Sequence, residues 1–411
     1  MTVGALHQER WSVFILIILS QLVLSLGSHS WGPLAPFLKE TMRLSHAEVG
    51  YISSVFYLAS ALSAFPAGLI VDLFGVKKGM LLWLCMTGLP LMVMKNTSAH
   101  FPLFLGLLAV SGLGYGMGNP VASKGLYIAF QRGVRGTVFG LRQCTVTLGG
   151  ALAGIWLVAL SQKAGPFFSL RVVSCLIILT GVITLLFFPS HGNAQSRGVM
   201  HVEKRWSLHQ GLKGLLTSQV LLVMTVIGMA LGFSQGVVGA FLVLYLSDGL
   251  GISRITAGGL FSIMMIGASG ARLLWGILSD RVFGGRRKPV LLLVSILGTL
   301  SLLLLVFWRV EWPTWLLPPL VLMIGASTWG WNSIFFVMVT EVSDSDHTAT
   351  FLGFTTAFGW LGIAFGPVMF GYLTEILGYA SGWIAVVASC ALAGGLSFRI
   401  SEPDDLLEHG P

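Results

Sequence analysis

Two stretches of this chain carry one pattern. The first reads Gly68-Leu-Ile-Val-Asp72-Leu-Phe-Gly75-Val-Lys77-Lys78, and the second reads Gly276-Ile-Leu-Ser-Asp280-Arg281-Val-Phe-Gly284-Gly285-Arg286-Arg287-Lys288. Each begins with a glycine, places an aspartate four residues later, and ends in a glycine turn followed by a basic cluster. The second copy starts 208 residues after the first. A landmark repeated at about half the chain's length predicts two related halves.

A second set of landmarks supports this repeat. Asn119 pairs with Asn332, Gly140 with Gly353, and Gly149 with Gly362, each at an offset of 213 residues. One matched set alone would be weak, but the two sets fall in corresponding places of the two halves. Together they indicate a duplicated fold.

The composition is typical of a membrane protein. Hydrophobic residues make up 55% of the 411 residues and charged residues only 10%, and the mean hydropathy is +0.85. A soluble domain carries about 25% charged residues. The net charge of +8 does not indicate a nucleic-acid partner, because the basic residues lie in short loops between apolar runs. These runs approach the ~20 residues that span a bilayer.

The apolar runs predict an all-α membrane protein with twelve transmembrane helices. The predicted spans lie near residues 12–34, 48–70, 79–95, 102–128, 137–160, 167–189, 217–246, 257–279, 289–308, 314–338, 350–374 and 378–398. The longest polar stretch separates the sixth span from the seventh, and Trp206 to Leu216 is a candidate interfacial helix within it. We therefore predict an N-terminal six-helix bundle at 1–190, a cytoplasmic central loop at 191–216, and a C-terminal six-helix bundle with a short tail at 217–411.

The basic residues predict the orientation. With both termini inside, the cytoplasmic segments hold fourteen of the 24 Lys and Arg residues, the outer segments hold seven, and three lie within spans. Short cytoplasmic loops are enriched in Lys and Arg. We therefore predict a multi-pass protein of the inner (plasma) membrane with both termini in the cytoplasm. The first apolar run, which starts near Trp11, is too long for a cleavable signal peptide.

The repeated loop resembles the signature of the major facilitator superfamily, Gly-x-x-x-Asp-x-x-Gly followed by basic residues, and the resemblance covers nearly the whole chain. It implies two pseudo-symmetric six-helix bundles, a central binding site and alternating access. It also implies gating roles for Gly68, Asp72, Gly75, Lys77 and Lys78, and for Gly276, Asp280, Arg281, Arg286 and Arg287.

The loop chemistry explains such a role. Glycines permit a tight turn, the aspartate can face the positive N-terminal end of a neighbouring helix, and the basic residues anchor the turn to the cytoplasmic leaflet. A simpler interpretation stays open, in which the loop only sets the topology.

Three cations fall inside predicted spans: Lys124, Arg142 and Arg272. One such charge at the centre of a span costs roughly 2.5–3.5 kcal/mol on insertion scales. The sequence places no aspartate or glutamate deep in any span, so these cations lack an evident counter-charge. This imbalance predicts an anionic substrate.

Arg272 is the sharpest candidate. A guanidinium matches a carboxylate in a bidentate fork. The segment Arg272-Leu-Leu-Trp-Gly-Ile-Leu-Ser-Asp280-Arg281 resembles the monocarboxylate transporter family and the oxalate:formate antiporter, which implies that Arg272 binds the substrate carboxylate. The alternative is an arginine that reaches the inner surface. The same two interpretations stay open for Arg142 and Lys124.

Polar and aromatic residues complete the predicted site. Asn119 and Asn332 can donate amide hydrogens to an anion or hold helices together. Tyr115, Trp331 and Phe335 can form an apolar wall for the substrate or simply pack. His29 lies well inside span one and is a candidate for proton coupling, with a hydrogen-bonded packing histidine as the alternative.

The sequence argues against several other functions. Nitrate porters pair arginines of helices two and eight, but Ala64 stands where span two would need one. Multidrug pumps favour buried carboxylates, and a membrane enzyme or receptor-like sensor has no motif in its support. We predict a monomeric secondary transporter, not an enzyme, that moves a small monocarboxylate-like anion across the bilayer, alone or with a proton. An inorganic-anion porter and a multidrug pump remain alternatives, and no metal or cofactor is expected.

Overall fold

The computed structural model describes residues 3–97, 99–130, 132–189, 218–309, 311–342 and 348–400. All regular structure in these ranges is helical. The predicted central loop at 191–216, with its candidate interfacial helix, lies outside the described residues.

Fifteen α-helices are described. They are α1 (Val3–Ser28), α2 (Trp31–Met42), α3 (His46–Val93), α4 (Phe101–Gly116), α5 (Gly118–Ala129), α6 (Arg132–Leu152), α7 (Val158–Ala164), α8 (Pro166–Phe187), α9 (Gln219–Leu244), α10 (Arg254–Arg281), α11 (Lys288–Val306), α12 (Leu317–Thr328), α13 (Asn332–Val342), α14 (Thr348–Leu377) and α15 (Tyr379–Ser397). Short π-helical turns at Ala153–Leu157 and Tyr245–Gly249 continue α6 and α9.

Ten helical stretches in the described part of the chain are long and apolar enough to cross a bilayer. A further candidate is the pair His46–Ala64 and Pro66–Thr97, which is bent by 65°. This pair covers two predicted spans, 48–70 and 79–95. Counted as one span, this pair brings the candidates in the described part of the chain to eleven, and the predicted number of twelve stays a prediction.

Gly75 marks the change of direction within α3. This helix has 48 residues, a length of about 72 Å at ~1.5 Å per residue, which is more than twice the ~30 Å hydrocarbon core. Gly75 has φ 83° and ψ 168°, a conformation that an L side chain disfavours. The tract therefore consists of two helical segments that meet at this glycine, where the sequence predicts a turn.

The chain forms two compact units. Unit 1 comprises Met1–Arg43 and Val55–Glu203, and unit 2 comprises Leu44–Ser54 and Lys204–Pro411. The start of α3 thus groups with unit 2, where the Ala47 N–H donates to Glu375 Oε2 at 3.2 Å and His46 Nε2 bonds the Tyr379 hydroxyl at 3.1 Å.

The internal packing of the two units shows the repeat. In unit 1, a Cβ added to Gly112 of α4 would lie 2.3 Å from the carbonyl oxygen of Phe56. In unit 2, a Cβ on Gly325 of α12 would lie 1.9 Å from the carbonyl oxygen of Met264. Gly325 follows Gly112 by 213 residues and Met264 follows Phe56 by 208, the two offsets that the sequence shows. Both contacts are backbone approaches of the kind that small residues permit between membrane helices.

Candidate functional site

Each unit contains a span that is interrupted just before a matched asparagine. In unit 1, α4 ends at Gly116 and α5 begins at Gly118, next to Asn119. In unit 2, α12 ends at Thr328 and α13 begins at Asn332. In unit 1 the break is a single tight turn, in which the Met117 N–H still donates to the carbonyl oxygen of Gly114. Each break places a polar side chain, Asn119 or Asn332, inside a membrane span.

Arg142 lies at the interruption of unit 1. Its side chain comes from α6 and is only 4% exposed. Nη2 donates to Oε1 of Gln21 on α1 at 2.9 Å and to Oδ1 of Asn119 on α5 at 2.6 Å. Three helices thus converge on one guanidinium, which lies inside unit 1 and does not reach out to its surface.

The partners of Arg142 carry no charge. Its hydrogen bonds within the described residues go to two amide oxygens, and Nε is buried without an acceptor there. A guanidinium has five N–H donors, so two bonds leave most of its capacity unused. Burying an ion costs several kcal/mol unless an opposite charge offsets it. A bound anion would supply that charge.

The guanidinium of Arg142 fixes which end of each neighbouring amide faces it. A guanidinium cannot accept a hydrogen bond, so Gln21 and Asn119 must each turn their oxygen towards it. The nitrogen of Gln21 then donates to Ser25 Oγ at 3.0 Å. Asn119 is exposed, and its nitrogen, which makes no hydrogen bond to the residues that the structure describes, remains a donor near the guanidinium.

Unit 2 has a related but uncharged cluster. Oε1 of Gln235, on α9, accepts from Trp331 Nε1 at 3.1 Å and from Asn332 Nδ2 at 3.4 Å. Gln235 follows Gln21 by 214 residues, so the two glutamines hold corresponding places in the repeat. The position that corresponds to Arg142 at offset 213 is Thr355, which is buried. The amides are therefore repeated and the guanidinium is not.

Arg272 lies beside the interruption in unit 2. It is half-buried, and Nε donates to the carbonyl oxygen of Trp329 at 3.4 Å. The same carbonyl accepts from Asn332 Nδ2 at 3.4 Å. The structure thus places Arg272 and Asn332 at one backbone oxygen of the broken span, close to Gln235.

The predicted aromatic wall is divided between the core and the surface. Phe335 is 0% exposed, and a Cβ on Gly228 would lie 2.7 Å from its ring, so Phe335 belongs to the core. Trp331 is also buried, with its ring centroid 5.1 Å from that of Phe335. Tyr115 is half-buried, 5.4 Å from the ring of Phe56. Of the three, Tyr115 is the one that keeps an exposed edge.

Lys124 differs from the prediction. Nζ lies 2.6 Å from Oδ1 of Asp72 and also donates to the carbonyl oxygen of Val71 at 3.3 Å. The expectation that Lys124 lacks a counter-charge is therefore wrong: the aspartate of the first signature loop neutralises it. The sequence predicts that Asp72 faces a helix N-terminus, and the structure pairs it with the cation of α5 instead.

The second loop forms a larger ion cluster. Arg287 bonds Asp280 through Nη1, and Nη2 lies 3.2 Å from Oε1 of Glu341 on α13. Partial burial lowers the pKa of Arg287, but the two carboxylates outweigh it, and the net pKa lies above its ordinary value. The arginine therefore stays charged at any physiological pH. Here too, a side-chain cation holds the loop aspartate.

The loop glycines have two different roles. Gly75 has a left-handed φ, as do Gly284 (62°) and Gly285 (90°) in the second loop. Gly68 and Gly276 lie inside α3 and α10, and a Cβ on either would meet nothing within 4 Å. The expectation of a glycine turn thus holds for the later glycines and is wrong for the first glycine of each motif.

The basic residues of the loops are variously placed. Lys77 donates to the carbonyl oxygen of Phe188 at 3.3 Å. Lys78, Arg281 and Arg286 are exposed. Their predicted contact with lipid headgroups stays a prediction.

His29 is buried at the end of α1. Nδ1 lies 2.7 Å from the carbonyl oxygen of Ser25 and 3.0 Å from the hydroxyl of Ser28. These local bonds satisfy one side of the ring, as expected of a packing histidine. Its role in proton coupling stays a prediction.

Sequence reasoning missed Gln21 and Gln235. A signal was present, because each is an amide deep within a long apolar span and the pair matches at offset 214. A polar side chain inside a membrane span is a functional candidate. Neither residue carries a formal charge, so the charge pattern of the sequence does not point to them.

Comparison with known proteins agrees with this architecture. Residues 17–367 match the family model described as Major Facilitator Superfamily. The chain is 24% identical over 383 residues to a "Probable hexose phosphate transport protein" of Chlamydia pneumoniae, covering 87% of this chain and 84% of that protein. It is 22% identical over 409 residues to the "Membrane sensor protein UhpC" of Salmonella typhimurium, covering 96% and 91%. A crystal structure of a mutant of the nucleoside transporter NupG matches with a TM-score of 0.78 at 17% identity, covering 94% of this chain and 98% of that one.

Proposed function

This chain belongs to the Major Facilitator Superfamily, and from that premise we propose that it carries a small organic anion whose charged group binds Arg142. As a member it is a multi-pass membrane transporter of the inner membrane and not an enzyme. The observation that carries the proposal is the burial of Arg142 among neutral amide partners. A cation kept in that environment favours a solute of opposite sign.

A phosphate ester is the headgroup that we favour. The relative from Chlamydia pneumoniae is named for hexose phosphate. A phosphate monoester carries ≈ −1.5 to −2 charges at pH 7 and three acceptor oxygens. The guanidinium of Arg142 and the amide nitrogen of Asn119 are donors suited to such oxygens. Arginine is the common partner of phosphate because its fork binds two oxygens at once.

A monocarboxylate is the second candidate. Arg272 supports it, because this arginine lies just before the second signature loop. Arg142 supports it too, because one carboxylate would balance its single positive charge. Arg272 already has a carbonyl partner in Trp329, so a carboxylate there would share the guanidinium with the backbone.

A sensor that binds without transport is a third possibility, which the name of the Salmonella relative raises. Binding data alone do not separate a sensor from a carrier. The separation requires a measurement of flux.

The test is counterflow in proteoliposomes. Vesicles loaded with unlabelled glucose 6-phosphate should accumulate the labelled compound, and vesicles loaded with lactate should not if the headgroup is a phosphate ester. Accumulation of labelled lactate would favour the monocarboxylate. Binding of either anion without accumulation would indicate a sensor, and a lack of binding by any small organic anion would refute the proposal.

The remaining features of the carrier belong to the same proposal. We place both termini in the cytoplasm, because the Lys and Arg bias favours that side. The carrier is taken to act as a monomer, with the two signature loops as gates and with His29 as the group that takes up a co-transported proton. Uptake measured at several pH values tests the last point directly.

A further inference from the structure

Gln21 is a buried amide that is bonded at both ends within unit 1. It lies on α1 and is only 3% exposed. Oε1 accepts from Arg142 Nη2 at 2.9 Å, and Nε2 donates to Ser25 Oγ at 3.0 Å. Gln21 thus contacts the proposed anion-binding group directly, and it cannot turn without losing a hydrogen bond at each end.

Close packing of α1 against α6 fixes Gln21 relative to Arg142. A Cβ added to Gly149 of α6 would lie 2.6 Å from the Cβ of Ser25 and 2.8 Å from the carbonyl oxygen of Leu22. The two helices are therefore in backbone contact one turn beyond Gln21, as small residues permit between membrane helices. Because Ser25 belongs to this contact and also holds the Gln21 nitrogen, the amide has a rigid support.

Nη2 of Arg142 is fully used by amide oxygens. It carries two hydrogens, and Gln21 Oε1 and Asn119 Oδ1 accept from it at 2.9 and 2.6 Å. Nε is buried without an acceptor among the described residues. Nη1 also bonds none of those residues, but it keeps some accessible surface. The two amides therefore leave Nη1 as the nitrogen of this guanidinium that a solute can reach.

The neutrality of Gln21 matters as much as its position. An amide oxygen accepts from a guanidinium without cancelling its charge, whereas a carboxylate at the same place would form a buried ion pair. An arginine that is already paired attracts a second anion far less, because the pair has no net charge. Glutamine has nearly the size of glutamate, so the charge of this position can be changed with little change in shape.

We propose that Gln21 is a positioning residue of the anion site: it holds Nη2 so that Nη1 faces the solute, and it does so without neutralising the guanidinium. The proposal rests on the proposed function, because it presupposes that Arg142 binds the charged group. Gln21 acts through Arg142 and does not touch the solute. A binding group that is held by a supporting side chain loses affinity when that support is removed.

The experiment measures KM and Vmax of anion exchange in proteoliposomes, with Vmax expressed per mole of reconstituted protein. The probe is glucose 6-phosphate, or lactate if counterflow selects lactate. Gln21→Leu removes an acceptor and lets the guanidinium turn, so KM should rise about tenfold. Gln21→Glu supplies a counter-charge, so KM should rise about a hundredfold or more. Vmax of both variants should stay within about twofold of the wild type, as expected when only binding is lost.

Two comparisons protect this measurement. Gln162→Glu makes the same chemical change on α7 of unit 1, where Gln162 is exposed, and it should keep the wild-type KM. Gln21→Glu covers the case in which the leucine variant does not fold. It should melt at the wild-type temperature or above, because it pairs a buried cation.

The outcomes separate positioning from a purely structural role. A normal KM in Gln21→Glu, or a lower Vmax at unchanged KM, overturns the role of Gln21 while anion binding at Arg142 stands. An equal rise of KM in Gln162→Glu overturns it as well, since added charge alone would then be sufficient. If the wild type exchanges neither probe, or if Arg142→Gln keeps the wild-type KM, the proposed function fails and this inference fails with it.

Discussion

Replacing Arg142 with glutamine should weaken anion binding without destabilising the ligand-free protein. The substitution removes the charge and leaves an amide that can still donate to Gln21 and Asn119. A bound oxyanion would lose two charge-assisted hydrogen bonds, each worth about 1.5–3 kcal/mol. The sum of about 3–6 kcal/mol corresponds to a dissociation constant between about a hundredfold and ten-thousandfold higher.

The stability of the ligand-free protein should not fall with the affinity. The wild type buries a guanidinium beside neutral partners, and removing a buried ion without a counter-charge relieves its desolvation cost. We therefore expect Arg142→Gln to melt at the same temperature as the wild type or higher in detergent without ligand. Addition of the anion should raise the melting temperature of the wild type and leave that of the variant unchanged.

The assay is a thermal melt with and without the anion, followed by calorimetry. Arg309→Gln is the control, because Arg309 is exposed and the substitution makes the same change in net charge. It should keep the wild-type affinity. The reasoning is refuted if Arg142→Gln binds the anion normally, or if it melts well below the wild type, since the guanidinium would then serve structure and not binding.

Four further outcomes are expected. Arg272→Lys keeps the charge but loses the fork, so uptake should fall by more than tenfold; unchanged affinity would remove Arg272 from the site. His29→Gln should leave the protein folded and abolish the pH dependence of uptake, and a retained pH profile would assign His29 to packing. Arg287→Ala separates two partly exposed carboxylates from their shared cation, so the free energy of unfolding should drop by about 1 kcal/mol, with a smaller difference in high salt. Gly75→Ala should lower the free energy of unfolding by about 1–2 kcal/mol because Gly75 has a positive φ. Gly68 lies in a helix with open space around it, so Gly68→Ala should leave the free energy of unfolding unchanged or raise it.

The fold was predictable because its signals are long and redundant. Each span is a run of about 20 apolar residues, and lipid leaves a backbone little choice but a helix. The repeated loop supplied the relation between the halves and identified the later glycines as turns. The family that the loop resembles is confirmed over residues 17–367, whereas the narrower resemblance to monocarboxylate carriers stays a proposal.

The partners of the cations could not be predicted in the same way. Lys124 and Asp72 are 52 residues apart in the chain, and their ion pair depends on how α5 packs beside the end of a different span. Composition and spacing contain no record of that approach. The charge imbalance inferred from the sequence is therefore smaller than expected, and it rests mainly on Arg142.

The ranking of the two arginines shows a similar limit. The motif that follows Arg272 in the sequence marks it as a binding candidate, whereas no motif surrounds Arg142. Its distinction appears once α1, α5 and α6 come together and seal the guanidinium between two amides. Depth of burial is a property of the fold and not of any local stretch.

The glycine contacts at Gly112 and Gly325 impose the same steric limit on side-chain size in both halves. A backbone oxygen within 2.3 Å of an added Cβ excludes every larger residue at Gly112 and Gly325, so both halves carry glycine at this place. Arg142 and Thr355 also occupy corresponding positions, but no backbone contact of this kind fixes the residue there, and the two side chains differ. The two halves therefore share a sterically fixed helix contact, while a buried cation stands in the first half and a neutral hydroxyl in the second.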